Sequence, residues 1–351
     1  MTAEAGGGGW DEPPGPPAGG LGEEALEGAE EDAESAVAPG EVLAELEAGG
    51  PLPSRERLRS LSGAPDDVLS RFVALWPRLD PERRRALLTA LMSLGEEDAT
   101  LDFHRISLTA LLDGDAATRI LAVRGLRDEE RPEYLRLLLD RLREEGTPAV
   151  RAELADVLGR FVVSMEFGML DEDDSSLLAG GLRDVAEEVT EPDELRARAL
   201  EALGASGEEW VSELIADFYQ SGSDRLRLGA LRAMGRNARD EWLPVLLAAF
   251  EEEDPELRAA AATSAGVLLL DDAVDPLLLL ALGDGEPEVQ LAAVAALGEI
   301  GTTLAIRVLR RLTREGPSGV AETAREALSR AEMVPLSGFE AAGDGGGEEG
   351  A

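Results

Sequence analysis

Residues 286–298 read Glu286-Pro-Glu-Val-Gln-Leu-Ala-Ala-Val-Ala-Ala-Leu-Gly298, a turn followed by an amphipathic helix, and five other segments repeat this pattern. Their first apolar residues follow one another at steps of 45, 31, 31, 32 and 31 residues, at Val150, Leu195, Leu226, Leu257, Val289 and Val320. A fixed period near the length of a helical hairpin is typical of a stacked array, in which each unit buries its apolar side against its neighbours. The pattern therefore predicts the architecture without any enzyme motif.

Each copy has the same internal spacing. Counted from the first apolar residue, the apolar positions are 0, +4, +7 and +8, as in Val289, Ala293, Ala296 and Leu297. This spacing places them on one side of a helix. Alanine at +4 and +7 permits close approach of neighbouring helices. The glycine at +9 in five copies is expected to end the helix in a left-handed conformation.

A second apolar helix is expected after the glycine in the later copies, over residues 210–219, 242–250, 274–282 and 304–312. The unit is thus a two-helix hairpin. No stretch alternates with period two between turn signals, so no sheet is expected. We therefore predict an all-α fold, an α–α superhelix of about six or seven helical hairpins.

Two tryptophans occupy matching repeat positions. Trp210 and Trp242 are each followed eight residues later by a phenylalanine, Phe218 or Phe250. Equivalent aromatic residues in adjacent units are expected to pack between hairpins, because large aromatic side chains are usually buried. A ligand cage is the alternative.

Composition divides the chain into four regions. Residues 1–38 form a Gly-, Pro- and Glu-rich acidic tail and residues 336–351 a Gly- and Glu-rich tail. Both lack the apolar residues needed to offset the entropy of ordering, so we expect them to be disordered. Residues 39–112 carry irregular helical signals and are expected to cap the repeat array, which spans 113–335.

The step of 45 residues predicts an insertion near 162–176. It contains the acidic run Asp171-Glu-Asp-Asp174. We expect this run to be a solvated loop that leads into a helix capped by Ser175 or Ser176, since serine is a favoured N-cap residue.

The chain is strongly acidic, with 72 acidic residues, 33 basic residues and a formal net charge of −39. Every basic residue is arginine. This charge opposes sequence-independent binding to phosphate backbones and docking on anionic lipid, so neither nucleic acid nor a membrane is an expected partner. The acidity keeps a leucine-rich surface soluble. Electrostatic recruitment of a basic partner is the alternative.

Several kinds of chemistry lack the residues they need. There is no cysteine, which excludes disulfides and thiolate sites, and His104 is the only histidine, so no metal centre is expected. Absence of lysine excludes Schiff-base chemistry. We find no phosphate-binding loop and no Ser/His/Asp set. No cofactor is predicted, and the protein is not expected to be an enzyme.

The chain carries no targeting signal that we recognise. Its first ten residues have neither a basic start nor an apolar stretch, unlike a signal peptide. The longest apolar run, residues 276–282, is too short to span a bilayer. A cytoplasmic location is expected.

The repeated segments share Pro-x-Val/Leu-Arg-x-x-Ala-x-x-Ala-Leu-Gly, a pattern that resembles the HEAT repeat and, more closely, its bacterial phycobilisome-lyase-like subgroup. The resemblance is clear over roughly 113–330, weak over 40–112 and absent in the tails. It implies a right-handed superhelix whose arginine-bearing helices line the concave side. The resemblance says little about function, because unrelated scaffolds and a few enzymes share this fold.

An arginine recurs at +1 in the first four copies, beside acids of the preceding turn. The arginines are Arg151, Arg196, Arg227 and Arg258, and the acids include Asp193, Asp224 and Asp254. We expect a structural ladder of Asp–Arg contacts that fixes the stacking of neighbouring units. A ligand-binding row is the alternative.

Positions +3, +6 and +10 of the same helices are expected to form the concave floor. They concentrate positive charge in an otherwise acidic protein, and the candidate partner-binding residues are Arg160, Arg198, Glu201, Arg232 and Arg236. Such a groove could hold an acidic peptide or another anionic group through charge-assisted hydrogen bonds. In the alternative interpretation, acids on facing helices pair with these arginines and leave a solvated surface.

We interpret the chain as a non-catalytic protein–protein interaction scaffold or adaptor that binds a partner protein on its concave face. The resemblance leaves a second hypothesis, a chromophore lyase or chaperone acting on a tetrapyrrole protein. Deoxyhypusine hydroxylase shares the repeat type, but its His-Glu metal pairs have no counterpart here. A HEAT-like DNA repair glycosylase would need a basic concave face, which the net charge opposes.

Overall fold

The structure, a computed structural model, describes residues 37–269 and 271–333. Within these residues the chain forms eighteen α-helices and no strand, as the absence of period-two patterns predicted. The α-helices are α1 Pro39–Ala48, α2 Arg55–Arg59, α3 Asp66–Leu75, α4 Pro81–Glu97, α5 His104–Ala110, α6 Ala116–Arg124, α7 Pro132–Glu144, α8 Pro148–Glu166, α9 Glu172–Glu187, α10 Asp193–Leu203, α11 Glu209–Tyr219, α12 Asp224–Asn237, α13 Leu243–Ala248, α14 Pro255–Val267, α15 Val274–Gly283, α16 Pro287–Ile300, α17 Thr303–Glu315 and α18 Ser318–Met333. Short 3-10 helices occupy Trp76–Arg78, Asp240–Trp242, Ala249–Glu251 and Asp271–Ala273.

The predicted C-terminal tail at 336–351 lies outside the described residues, and so does the N-terminal tail apart from Val37 and Ala38.

The helices stack in two layers. Each even-numbered helix from α2 to α18 packs on the next even-numbered one, and the odd-numbered helices form a second layer beside them. Because each even-numbered helix begins a hairpin, we call their layer the first-helix layer. Eight hairpins, from α2–α3 to α16–α17, lie between α1 and α18. The predicted all-α solenoid is confirmed, and residues 39–112 follow the same alternation as the repeats.

Local sequence explains where the first-layer helices begin and what they bury. The side chains of Asp80, Asp115, Ser223 and Asp254 each accept a hydrogen bond from a backbone N–H in the first turn of the helix that follows. The small residues at +4 are fully buried between neighbouring first-layer helices: Ala199, Ala230, Ala261, Ala293 and Ala324. Alanine at this position therefore allows the close approach that the sequence predicted.

The repeat glycine does not have its predicted role. Four of the five glycines lie inside helices, and Gly204 caps α10 with a right-handed φ of −52°. A Cβ added at each glycine would instead come within 2.7–3.2 Å of the +7 residue in the next first-layer helix. The pairs are Gly159–Ala202, Gly204–Ala233, Gly235–Ser264, Gly266–Ala296 and Gly298–Ala327. The glycine is required by close packing between hairpins, not by helix termination.

The extra residues near 162–176 were expected to form a solvated loop, but most of them lengthen the two helices of one hairpin. Helices α8 and α9 contain 19 and 16 residues. The Asp171 side chain accepts a hydrogen bond from the Asp174 N–H at 2.7 Å, so Asp171 caps α9 and the prediction of a serine cap was wrong. The acids of the run form the first turn of α9, where the helix dipole favours negative charge.

Three of the four repeat aromatics are core residues. Trp242, Phe218 and Phe250 are buried, and the Trp242 indole N–H donates to Asn237 Oδ1 at 2.8 Å. Trp210 is only partly buried, with the Arg183 guanidinium 4.7 Å from its ring centroid. Packing between hairpins explains the repeated aromatics without a ligand cage.

No helix among residues 37–269 and 271–333 is long and apolar enough to cross a membrane.

Candidate functional site

Most +1 arginines reach forward to the next hairpin. In three cases the partner is an acid that lies two or three residues before the next first-layer helix, in the pairs Arg151–Glu191, Arg227–Glu252 and Arg258–Asp284. Arg227 also contacts Asp224 of its own turn at 3.2 Å. The main acid partners thus come from the following turn, whereas the sequence pointed to the preceding one.

Arg196 departs from this pattern. It donates to the Ala186 carbonyl at 3.0 Å and contacts Asp193 of its own turn at 3.5 Å. Its guanidinium lies 5.3 Å from the centroid of the Phe218 ring. Asp193 in turn accepts a hydrogen bond from Ser223 of the next hairpin at 2.6 Å. In this copy, the hydrogen bond between Ser223 and Asp193 joins the two hairpins.

The Arg258–Asp284 pair shows the full geometry. Arg258 Nε and Nη2 donate to the two carboxylate oxygens of Asp284 at 2.7 and 2.9 Å. The Asp284 side chain is 6% exposed, and hydrogen bonds from Arg258 lower the pKa of its carboxyl group. Arg258 Nη1 also donates to the carbonyls of Glu252 and Glu253. Removing one partner of a bidentate pair that is buried between hairpins is expected to lower the stability of the fold strongly.

Sequence reasoning missed one member of this series. Arg119 in α6 donates to both carboxylate oxygens of Glu145 at 2.8 and 2.9 Å, just before α8. Arg119 follows Thr118, which stands where the six copies of the repeat have Val or Leu. Without an apolar residue at this position, the place of Arg119 in the repeat was not evident from the sequence.

A groove of about 450 Å³ opens on the first-helix layer across α10, α12 and α14. Three of the five predicted partner-binding residues line it: Glu201, Arg232 and Arg236. Small side chains of α14 form its other wall, among them Ala259, Ala260 and Thr263. The structure therefore brings together the residues that the +6 and +10 positions of the middle copies singled out.

The two remaining candidates lie elsewhere. Arg198 lines a second groove of about 260 Å³, whose other residues include Arg124 and Arg127 at and after the end of α6 and Asp156 of α8. Arg160 pairs with Glu130 in the turn before α7. The five predicted partner-binding residues are thus divided among the first groove, the second groove and the Arg160–Glu130 pair.

Acids of the same layer pair with the groove arginines. Glu201, whose side chain is 4% exposed, lies 3.0 Å from Arg198 Nη1 and 3.3 Å from Arg232 Nη1. Arg236 donates to the Glu201 carbonyl at 3.1 Å. Glu256 lies 3.8 Å from Arg232 on the opposite wall. The groove has mixed charge, and its acids belong to neighbouring first-layer helices.

The side chains of the paired arginines remain partly exposed. The side chains of Arg232 and Arg236 are 36% and 45% exposed. Because Glu201 holds Arg232 in place, its remaining N–H groups are oriented before any partner arrives. The groove can therefore supply charge-assisted donors beside a floor of small side chains.

The only histidine lies in a separate charged cluster that borders a third groove of about 450 Å³. His104 Nδ1 is 3.1 Å from Asp102 and 3.4 Å from Glu129. Burial raises the pKa of Glu129, but hydrogen bonds from Arg131 outweigh it and the net shift is downward. No group of three or more metal-ligating side chains occurs among the residues that the structure describes.

Comparison with known proteins agrees with this architecture. Residues 243–329 match the family described as HEAT repeats. Within these residues the chain carries HEAT repeats. No curated protein sequence matches it.

Several solved structures are similar to this chain. Human deoxyhypusine hydroxylase in complex with glycerol is 16% identical, with 89% of this chain and 100% of that chain covered and a TM-score of 0.33. The complex of CpcE and CpcF of phycocyanin lyase from Nostoc is 19% identical, with coverages of 79% and 96% and a TM-score of 0.43. Kap121p bound to Pho4p is 13% identical, with coverages of 84% and 38% and a TM-score of 0.47. This likeness concerns the fold alone.

Proposed function

We propose that this protein is a non-catalytic HEAT-type scaffold that binds a segment of a partner protein in the groove between α10, α12 and α14. The observation that carries the proposal is the pair of half-exposed, pre-oriented arginines, Arg232 and Arg236, in a groove with a wall of small side chains. Absence of cysteine from the sequence is compatible with a reducing compartment, and we place the scaffold in the cytoplasm.

The groove suits a polypeptide better than a compact anion. Its wall of Ala259, Ala260 and Thr263 leaves room for a chain to approach closely. Arg232 and Arg236 can donate to carboxylates or backbone carbonyls of that chain. Glu256, with a side chain 55% exposed, can accept hydrogen bonds from the other side. A partner segment with both donors and acceptors would satisfy all of these groups.

Site-specific photo-crosslinking in the native host tests the proposal. A photoreactive phenylalanine at Thr263 lies in the groove, and one at Leu279 lies on α15 in the second layer, where the native side chain is 72% exposed. We expect Thr263 to trap a defined partner protein that Leu279 does not trap. Equal trapping at both positions, or none at Thr263, would overturn the proposal.

A variant pair tests the role of the arginines. Arg232→Gln with Arg236→Gln should reduce crosslinking from Thr263 by about tenfold, because charge-assisted hydrogen bonds are lost. Arg311→Gln is the matched control, since Arg311 forms an exposed pair with Glu315 on α17. Thermal unfolding of each variant shows whether the fold is intact. Undiminished crosslinking in a folded double variant would contradict the role of the arginines.

A further inference from the structure

The turn between α8 and α9 carries an exposed apolar surface at the end of the longest hairpin. Helix α8 has 19 residues, whereas the next first-layer helix, α10, has 11. With 1.5 Å of rise per residue, the end of α8 extends about 12 Å further. Val163 on this extension is 41% exposed, and Phe167 and Met169, which follow the helix end, are 78% and 58% exposed. Soluble proteins rarely expose neighbouring large apolar side chains without a purpose.

Backbone hydrogen bonds hold the three residues in one compact turn. The Phe167 N–H donates to the Val163 carbonyl at 3.1 Å, so the two residues lie one turn apart on the same side of the helix end. The Met169 N–H donates to the Ser164 carbonyl at 2.9 Å. Gly168, with a φ of +68°, turns the chain back to allow this. We call the patch formed by Val163, Phe167 and Met169 the apolar tip.

Exposed acids flank the apolar tip. They are Glu166, Asp171, Glu172 and Asp173. The sequence has no basic residue between Arg160 and Arg183, and no ion pair joins these four acids to an arginine within 37–269 and 271–333. The nearest paired acid, Asp174, contacts Arg136 of α7 at 2.6 Å. The apolar tip therefore combines apolar side chains with a run of exposed acids, of which Asp171 and Asp173 also interact electrostatically with Arg136.

We propose that the apolar tip is a docking surface for a basic amphipathic helix of a partner protein. The apolar side of such a helix would cover Phe167 and Met169, and its Arg or Lys side chains would pair with the flanking acids. Aromatic and methionine side chains are typical of interface centres. The net charge of −39 steers a basic partner toward this protein. The apolar tip does not include the groove at Arg232, so this proposal is independent of the scaffold function.

Binding of a defined peptide tests the proposal. The probe is a fluorescent amphipathic peptide of leucine and lysine, about 18 residues long so that it can form a helix. Its matched control has glutamate in place of lysine. Fluorescence anisotropy with the full chain should detect the lysine peptide and not the glutamate peptide. Equal binding of both peptides would overturn the role of charge complementarity.

Two variants locate the binding site. Phe167→Ser with Met169→Ser should weaken binding by at least about tenfold, because the buried apolar area is lost. Glu172→Gln with Asp173→Asn should weaken it about threefold or more at low salt, and less at high salt. Leu279→Ser, an equally exposed apolar position in the second layer, should bind like the wild type.

Three results would overturn the proposal. The first is unchanged peptide binding by Phe167→Ser with Met169→Ser. The second is a concentration-dependent dimer in analytical ultracentrifugation that the same variant abolishes, which would make the apolar tip a contact between two copies of this chain. The third is binding to phosphatidylcholine vesicles that depends on Phe167, which would make it a lipid contact. Because the substituted side chains are exposed, the variants should fold, and thermal unfolding verifies this.

Discussion

A Cβ placed on Gly266 would lie 2.7 Å from the Cα of Ala296 in the next hairpin. Real Cβ atoms do not approach a backbone atom this closely, so α14 and α16 can keep their spacing only if position 266 has no side chain. At the other four repeat glycines, an added Cβ would likewise come within 2.8–3.2 Å of the +7 residue. The +9 glycine and the small +7 residue together set the spacing of the stack.

Gly266→Ala should therefore destabilise the protein. We expect the free energy of unfolding to fall by about 1–3 kcal/mol, because overpacking pushes neighbouring helices apart. Chemical denaturation measures it. Gly180→Ala in α9 is the matched control, since an added Cβ there meets nothing within 4 Å. That change should raise stability by about 0.5–1 kcal/mol through helix propensity. Equal effects at both positions would contradict the packing role.

Arg258→Gln should cost about 3 kcal/mol of unfolding free energy, because it leaves the buried Asp284 carboxylate without its bidentate partner. Arg311→Gln, which breaks an exposed pair with Glu315, should change stability by less than about 0.5 kcal/mol. Urea unfolding of both variants gives the comparison. A small effect at Arg258 would show that the +1 arginine does not fix stacking.

The contribution of Asp284 to the free energy of unfolding should depend on pH. Hydrogen bonds from Arg258 lower the pKa of Asp284 below its usual 3.8 in the folded state. A carboxyl group with a lowered folded-state pKa stabilises the fold fully above its unfolded pKa, and this contribution is lost as pH falls through the folded pKa. The stability difference between wild type and Asp284→Asn should thus be largest near neutral pH and shrink on acidification below 3.8. A difference independent of pH would be inconsistent with this pairing.

Asp171→Ala should lower the free energy of unfolding by about 1 kcal/mol, because the N-cap hydrogen bond of α9 is lost. Ser175→Ala and Ser176→Ala remove hydroxyl groups that do not cap this helix, so each should stay within about 0.5 kcal/mol of the wild type. Thermal unfolding of the three variants compares them directly. A larger loss of stability at either serine than at Asp171 would instead support a serine as the N-cap of α9.

The sequence by itself determined the hairpin, its period and the all-α class. These follow from local facts: the 0, +4, +7, +8 spacing places apolar side chains on one side of a helix, and residues such as Asp254 cap the following helix within a few positions. The candidate groove was partly predictable for the same reason. Glu201, Arg232 and Arg236 lie at the +6 and +10 repeat positions that the sequence assigned to the concave floor.

Only the tertiary structure decided what those positions contact. Gly266 could be read as a helix terminator because its true neighbour, Ala296, is 30 residues away in the chain. The acid partner of Arg258 proved to be Asp284 of the following turn, because the distance between stacked hairpins selects which acid the guanidinium reaches. The apolar tip was equally hidden, since exposure of Phe167 depends on how far α8 extends past its neighbour. A periodic sequence specifies the faces of each hairpin, but packing between hairpins assigns their contacts.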